Sequence, residues 1–164
     1  MAWTIEKRAW DDPAGVTLRG AQRTELDLRY GTSDHEPGTP PSASDIDLFL
    51  VAVDDAGDAL GCAALRRLDA ASAEIKRMYV VPASRGSGVA IALLRAVESA
   101  ALDRGWPTLR LETGPAQPDA IHFYEREGYE RIPLFGPYAG SDLSVCYERT
   151  LTGPSPLRPA TNRP

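Results

Sequence analysis

The stretch "AEIKRMYVVPASRGSGVAIALL", residues 73–94, decides the fold. It runs from a strand-like segment, through a turn holding Gly86 and Gly88, into a segment with apolar residues at helical spacing. Pro82 ends the strand's ladder because it has no N–H to donate. A glycine-rich turn that feeds a helix N-terminus exposes several backbone N–H groups without intrahelical partners, and the helix dipole adds partial positive charge there. Such a junction binds phosphate or pyrophosphate. Gly86 and Gly88 lack the Cβ that would hold a ligand off the backbone, and Arg85 adds a forked cationic donor. On residues 85–90 alone, an ordinary turn with an exposed arginine reads equally well. Two familiar phosphate loops are excluded. No Lys followed by Ser or Thr completes a GxxxxGK[ST] pattern, and Gly86-Ser87-Gly88 lacks the closing glycine of a dinucleotide fingerprint.

Upstream, "DLFLVAVDDAGDALGCAALRRLD", residues 47–69, has two apolar runs around the turn signal Asp54–Asp58. With the third run beyond the loop Leu68–Ser72, it predicts a meander of three antiparallel strands. Alternation along the third strand places Glu74, Lys76 and Met78 on one face, and Ile75, Arg77 and Tyr79 on the other. Nearer the N-terminus, "TIEKRA" reads as a strand and Ala14–Tyr30 as a helix, capped by Asp12 with Pro13 in its first turn. Residues 31–45 form a loop by composition, long enough to serve binding or to be disordered.

Downstream, Ala90, Leu93, Leu94, Val97, Ala101 and Leu102 mark an amphipathic helix closed by Gly105. "TLRLET" is a strand, "PDAIHFYEREG" a helix, and "YERI" and "LSVCYERTL" strands. This order predicts an α/β (α+β layered) domain over residues 1–151. The proline-rich residues 152–164 have almost nothing to bury and read as a floppy tail.

A chain of 164 residues, 43% hydrophobic and 25% charged, fits one soluble globular domain. No apolar run is long enough to span a bilayer, and "MAWTIEKRAWDDP" carries charges where a signal peptide needs an apolar stretch, so a cytoplasmic, membrane-free protein is expected. A net charge of -5 argues against a nucleic-acid partner and weakly favours a cationic substrate. Cys62 and Cys146, far apart in strand-like runs, read as reduced buried thiols, with neither a disulfide framework nor a metal cluster.

The pattern resembles the GNAT superfamily of acyl-CoA-dependent N-acyltransferases. Its pyrophosphate loop, [QR]xxGx[GA] after an antiparallel strand, is matched by Arg85, Gly88 and Ala90. Its Tyr-xxx-Gly-[FY] signature is matched by Tyr124, Gly128 and Tyr129 in the expected helix and turn. The resemblance covers roughly residues 47 to 150. It implies a mixed, mostly antiparallel sheet with helices on both faces, splayed between the fourth and fifth strands. Acetyl-CoA is the implied cosubstrate, with no metal. Met78, Tyr79 and Val80 would pair with its pantetheine arm, and Arg85, Gly86, Ser87, Gly88, Val89 and Ala90 would hold its phosphates. Gln117 stands nearest to where many relatives carry a coenzyme-contacting Asn.

The resemblance places Tyr124 as the acid that protonates the departing thiolate, a role suited to a phenol. Glu74 is the candidate base, with Tyr30, Glu112 or a water chain as alternatives. Arg29, Tyr30 and Tyr138 are the candidate substrate contacts. His122 falls on another face of its helix and reads as solvent-facing, and His35 has no partner visible in sequence. The implied activity is acetyl transfer to the primary amine of a small molecule or amino acid by direct attack in a ternary complex. A non-catalytic acyl-CoA sensor and a protein N-terminal or lysine acetyltransferase are the alternatives. Relatives of this kind often form homodimers, which extends that expectation to this chain.

Overall fold

The computed structural model describes residues 2–151; the tail expected over 152–164 lies outside the described residues. Its elements run β1 (Trp3–Lys7), α1 (Pro13–Tyr30), β2 (Leu48–Asp54), β3 (Ala59–Asp69), β4 (Ser72–Val80), α2 (Val89–Asp103), β5 (Thr108–Thr113), α3 (Pro118–Arg126), β6 (Glu130–Ile132) and β7 (Val145–Thr150). The strands form one sheet in the order β1-β2-β3-β4-β5-β7-β6. All neighbours are antiparallel except β4 and β5. This is the mixed, layered α/β class that the element order implied.

Local chemistry accounts for the helix ends. Asp12 accepts a hydrogen bond from the Ala14 N–H at 3.1 Å, Pro13 occupies the first turn, and Gly31 closes α1 at φ 71°. Helix α1 buries Leu18 against Phe49, Val51, Cys62 and Ala64 on one face of the sheet. On the other face α2 contributes Val89, Leu93, Leu94, Val97 and Ala101, and α3 contributes Tyr124, to a larger core with Leu50, Ala63, Ile75 and Leu111. Both cysteines are buried and unpaired. Burial raises the Cys62 thiol to about 12, so it stays protonated.

Strand β4 departs from simple alternation. Lys76 faces Ala64 and Tyr79 faces Cys62, so three steps along β4 match two along β3. The extra residue falls at Arg77, whose φ of 57° is the only positive value among the described non-glycine residues. This is a β-bulge, and it corrects the expected faces. Glu74, Lys76 and Tyr79 take one side of the strand, Tyr79 against Leu18 of α1 and the other two against Tyr138, while Ile75, Met78 and Val80 face the core under α2 and α3. A turn-prone φ at an arginine leaves no signal in composition.

Gly61 stands across from this region on β3. A Cβ there would lie 2.7 Å from the Tyr79 carbonyl and 3.1 Å from side-chain atoms of Leu93 and Val80. Gly61→Ala is therefore expected to cost about 1–3 kcal/mol, the usual penalty for overpacking against a backbone that cannot yield. The shift of the urea midpoint measures it.

Candidate active site

The bulge opens the site. Strands β4 and β5 pair only over Ser72–Ile75 and Thr108–Leu111, and beyond Ile75 they part. Val81 N–H donates to the Leu60 carbonyl at 2.9 Å, which turns the polar groups of Val80, and of Met78 two residues before it, away from β3 toward the open edge. Side chains occupy the carbonyls on that edge. Gln22 Nε2 donates to Met78 O at 3.0 Å, and Arg85 Nε donates to Val80 O at 2.9 Å. The edge thus offers free N–H groups to an extended ligand, as an unpaired strand does.

At the end of this edge a short 3₁₀ turn, Pro82–Ser84, leads into Gly86 (φ 80°) and Gly88 (φ 99°), the N-cap of α2. The first bond inside that end is Ala92 N–H to Gly88 O at 3.0 Å. The N–H groups of Gly86, Gly88, Val89, Ala90 and Ile91 therefore have no partner among the described residues. Those of Arg85 and Ser87 are used within the turn, by Pro82 O and Ser84 O. Val89 turns its side chain into the core and gives only its N–H to the cradle. Five free N–H groups at a helix N-terminus suit a pyrophosphate.

Together these features bound a cleft of about 580 Å³ lined by Met78, Tyr79, Val80, Arg85, Gln117 and Tyr124, among others. Its rim is tied by charge. Arg85 pairs with Glu25 at 2.8 Å, Glu25 with Arg29 at 3.5 Å, and Arg29 with Asp119 at 3.0 Å, linking the loop, α1 and α3. A smaller inner pocket of about 90 Å³ adjoins the cleft and shares Gln22, Met78, Gln117 and Tyr124 with it; Tyr30, His35, Glu36, Lys76 and Glu112 line the rest. Tyr124 is buried, its hydroxyl has no partner among the described residues, and burial raises its pKa, so the phenol keeps its proton. Burial also raises the Glu112 carboxyl to about 7, against the hydrogen bond it accepts from Ser144 Oγ at 2.7 Å and the charge of Lys76.

Two sequence candidates lie elsewhere. Glu74 is 2% exposed and lines neither the cleft nor the inner pocket. It accepts hydrogen bonds from Tyr138 Oη at 2.5 Å and Arg66 Nη2 at 3.3 Å. Tyr138, expected to meet substrate, is buried behind the site, where its hydroxyl also receives a bond from Lys76 Nζ at 2.8 Å. Alternation could not show this, because it says which face a residue takes but not what covers that face. Tyr30 does line the inner pocket: it stacks on His35 and accepts a bond from Gln117 Nε2 at 3.3 Å. Arg29 lines the cleft. His122 is exposed, as expected. His35 finds a partner in Asp27, 2.7 Å away. Sequence reading missed Gln22, Glu25 and Leu26, although with Arg29 they recur at the three- and four-residue spacing of one helix face.

The sequence profile of the acetyltransferase (GNAT) domain matches residues 45–131, which include the bulged strand, the glycine turn and Tyr124. The chain belongs to the GNAT acetyltransferase family. This GNAT enzyme is 36% identical to an IAA acetyltransferase of Azospirillum brasilense over 104 residues, 63% of this chain and 67% of that one. A Klebsiella pneumoniae structure assigned to the acyl-CoA N-acyltransferases superposes with a TM-score of 0.77 and 33% identity, covering 92% of this chain and 98% of that one. A GNAT acetyltransferase of Elizabethkingia anophelis, solved with acetyl-CoA bound, shares the fold at a TM-score of 0.66 and 18% identity, over 91% and 98% of the two chains. No helix among the described residues is long and apolar enough to cross a membrane.

In this GNAT fold the loop after α1 supplies the inner pocket's main ion pairs. Glu36 bridges Lys76 Nζ at 2.8 Å and Arg77 Nη1 at 2.7 Å. Burial alone would raise its carboxyl, but the two cations hold it down at about 2, from an ordinary 4.5. A carboxyl with a depressed folded pKa stabilises the fold above its unfolded pKa, and that contribution is lost as pH falls through the folded value. Glu36→Gln should therefore cost about 3 kcal/mol at neutral pH. Chemical denaturation across pH should show the gap to the parent closing between 4.5 and about 2.

Proposed function

We propose that the protein transfers an acetyl group from acetyl-CoA to the primary amine of a small molecule by direct attack in a ternary complex. The observation that carries this reading is the meeting of cleft and inner pocket at Met78 and Tyr124, with Glu112 facing the inner pocket only. The free N–H groups of Gly86 to Ile91 hold the coenzyme's pyrophosphate, and the open edge of β4 holds its pantetheine arm. Arg85 contributes mainly through Nη1, because Nε and Nη2 are committed to Val80 and Glu25. Gln117 steadies the turn into α3 on the cleft's far side.

Glu112 takes the place of Glu74 as the base. Its pKa of about 7 leaves a substantial fraction ionised at neutral pH, yet basic enough to accept a proton. The neutral amine attacks the thioester carbon, a C–N bond forms, and the N–H proton passes to Glu112 directly or through water. The Met78 N–H, on the open edge beside the bulge, donates to the developing oxyanion. As the C–S bond breaks, the Tyr124 phenol protonates the sulfur and is refilled from solvent. Tyr30 borders the entering amine, and Arg29 acts on the coenzyme side.

Thiol release from acetyl-CoA across a panel of amines tests this. Amine-dependent release is expected; tight coenzyme binding with no release for any amine would overturn the reading in favour of a binding module. Tyr124→Phe should lower kcat by about 10²–10⁴-fold, the usual weight of a general acid, with coenzyme affinity unchanged. Below pH of about 7 a protonated Glu112 cannot accept, so kcat at saturating amine should rise with pH through that value. Glu112→Gln should lower the rate and abolish that inflection.

A further inference from the structure

A third chamber of about 290 Å³ opens from the inner pocket, sharing Gln22, Leu26, His35, Glu36 and Arg77 with it. Its remaining wall carries Trp10, Arg19 and Arg23, with Val16 and Pro41 as apolar neighbours. In a chain of net charge -5, this chamber gathers three guanidinium groups and one carboxylate. That carboxylate, Glu36, is already shared by Lys76 and Arg77. Arg19 and Arg23, one turn apart on α1, have no ion-pair partner among the described residues, whereas Arg8, Arg66, Arg149 and others each pair with a carboxylate.

Arg19 is the decisive residue. Its guanidinium carbon lies 3.6 Å from the centre of the Trp10 ring and 5.0 Å from that of Phe49, which fixes its plane. Nη1 is buried and makes no hydrogen bond. Burial lowers the Arg19 pKa, and the nearby Arg77 charge lowers it further. A guanidinium held against two aromatic rings, near a second cation and without an ion-pair partner among the described residues, is incomplete until an anion arrives.

Gln22 sits three residues further along the same helix, so Arg19 and Gln22 lie about one turn apart on neighbouring surface. Gln22 lines all three chambers; its Nε2 is anchored on Met78 O, while its Oε1 is buried and unpartnered among the described residues. Gln22 thus carries an unsatisfied acceptor beside the reaction centre, and one turn away Arg19 makes no side-chain hydrogen bond among the described residues, so its guanidinium edge toward the chamber is uncommitted.

We propose that the third chamber binds a carboxylate of the acceptor, so that the substrate class is amino carboxylates with an apolar body. Arg19 and Arg77 hold the carboxylate, Arg23 adds attraction at the mouth, Trp10 and Val16 cover the apolar part, and Gln22 Oε1 orients the amine toward the thioester. This rests on the proposed transferase reading and names its acceptor.

Calorimetry on the coenzyme A-loaded protein tests it, with product-like pairs as probes: N-acetyl-phenylalanine and N-acetyl-leucine against their carboxamides. Each acid is expected to bind at least about tenfold more tightly than its amide, the scale of one charge-assisted hydrogen bond. Arg19→Met keeps an unbranched apolar stem against the rings and should reduce the preference to within about twofold, with coenzyme A affinity unchanged. A merely structural Arg19 would move thermal stability and leave the acid-to-amide ratio alone. Equal binding of acid and amide, binding of neither, or a preference that survives Arg19→Met would overturn the proposal. Failure of the transferase reading appears separately, as absent amine-dependent thiol release, and leaves the acid-to-amide ratio readable.

Discussion

One extra residue in β4 sets the geometry of everything around it. With Arg77 bulged, the side-chain phase of β4 reverses midway. Glu74 and Lys76 then belong to a buried polar network with Tyr138, Arg66 and Glu36, while Met78 and Val80 belong to the core wall beside the cleft. The same kink carries β4 away from β5 after Ile75, and a sheet that parts in its middle must expose the edge of a strand. Exposed edges usually invite unwanted pairing. Here Gln22 and Arg85 cover two of the carbonyls on that edge.

Charge is organised around that gap rather than spread evenly. The ion pairs from Arg85 through Glu25 and Arg29 to Asp119 hold the rim. Such exposed pairs each contribute little to stability, so their effect is to orient the loop, α1 and α3 relative to one another. Deeper in, Glu36 neutralises Lys76 and Arg77, whereas Glu112 is surrounded by burial and by two other carboxylates. Two glutamates in adjoining space thus sit at opposite ends of the carboxyl range, one fixed as a counter-ion and one free to exchange protons near neutrality.

The elements were legible in the sequence because each is punctuated locally. Asp12 and Pro13 start α1, Gly31 ends it, and the turn Asp54–Asp58 separates β2 from β3. The glycine turn at the start of α2 and the place of Tyr124 on α3 were legible for the same reason, since both sit in short motifs. What sequence could not give depends on contacts between distant segments. The Arg77 bulge answers to packing across β3 rather than to any propensity of its own, so alternation misplaced Met78 and Tyr79. Glu74 and Glu112 are both acidic residues in strands, and only the tertiary fold buries one among donors and turns the other toward a pocket. The long loop read as binding or disordered; its contribution, Glu36, depends on Lys76 and Arg77 forty residues away.

The short ladder between Ser72–Ile75 and Thr108–Leu111 acts as a seam joining two jaws. One jaw, built on β4 and the start of α2, presents the edge and the cradle; the other, built on β5 and α3, carries Glu112 and Tyr124. No single element holds both a ligand-facing amide edge and an ionisable group of the pair. Alignment between them is therefore a property of the seam's angle. Evolution can retune this site by altering residues in the ladder that touch no ligand at all.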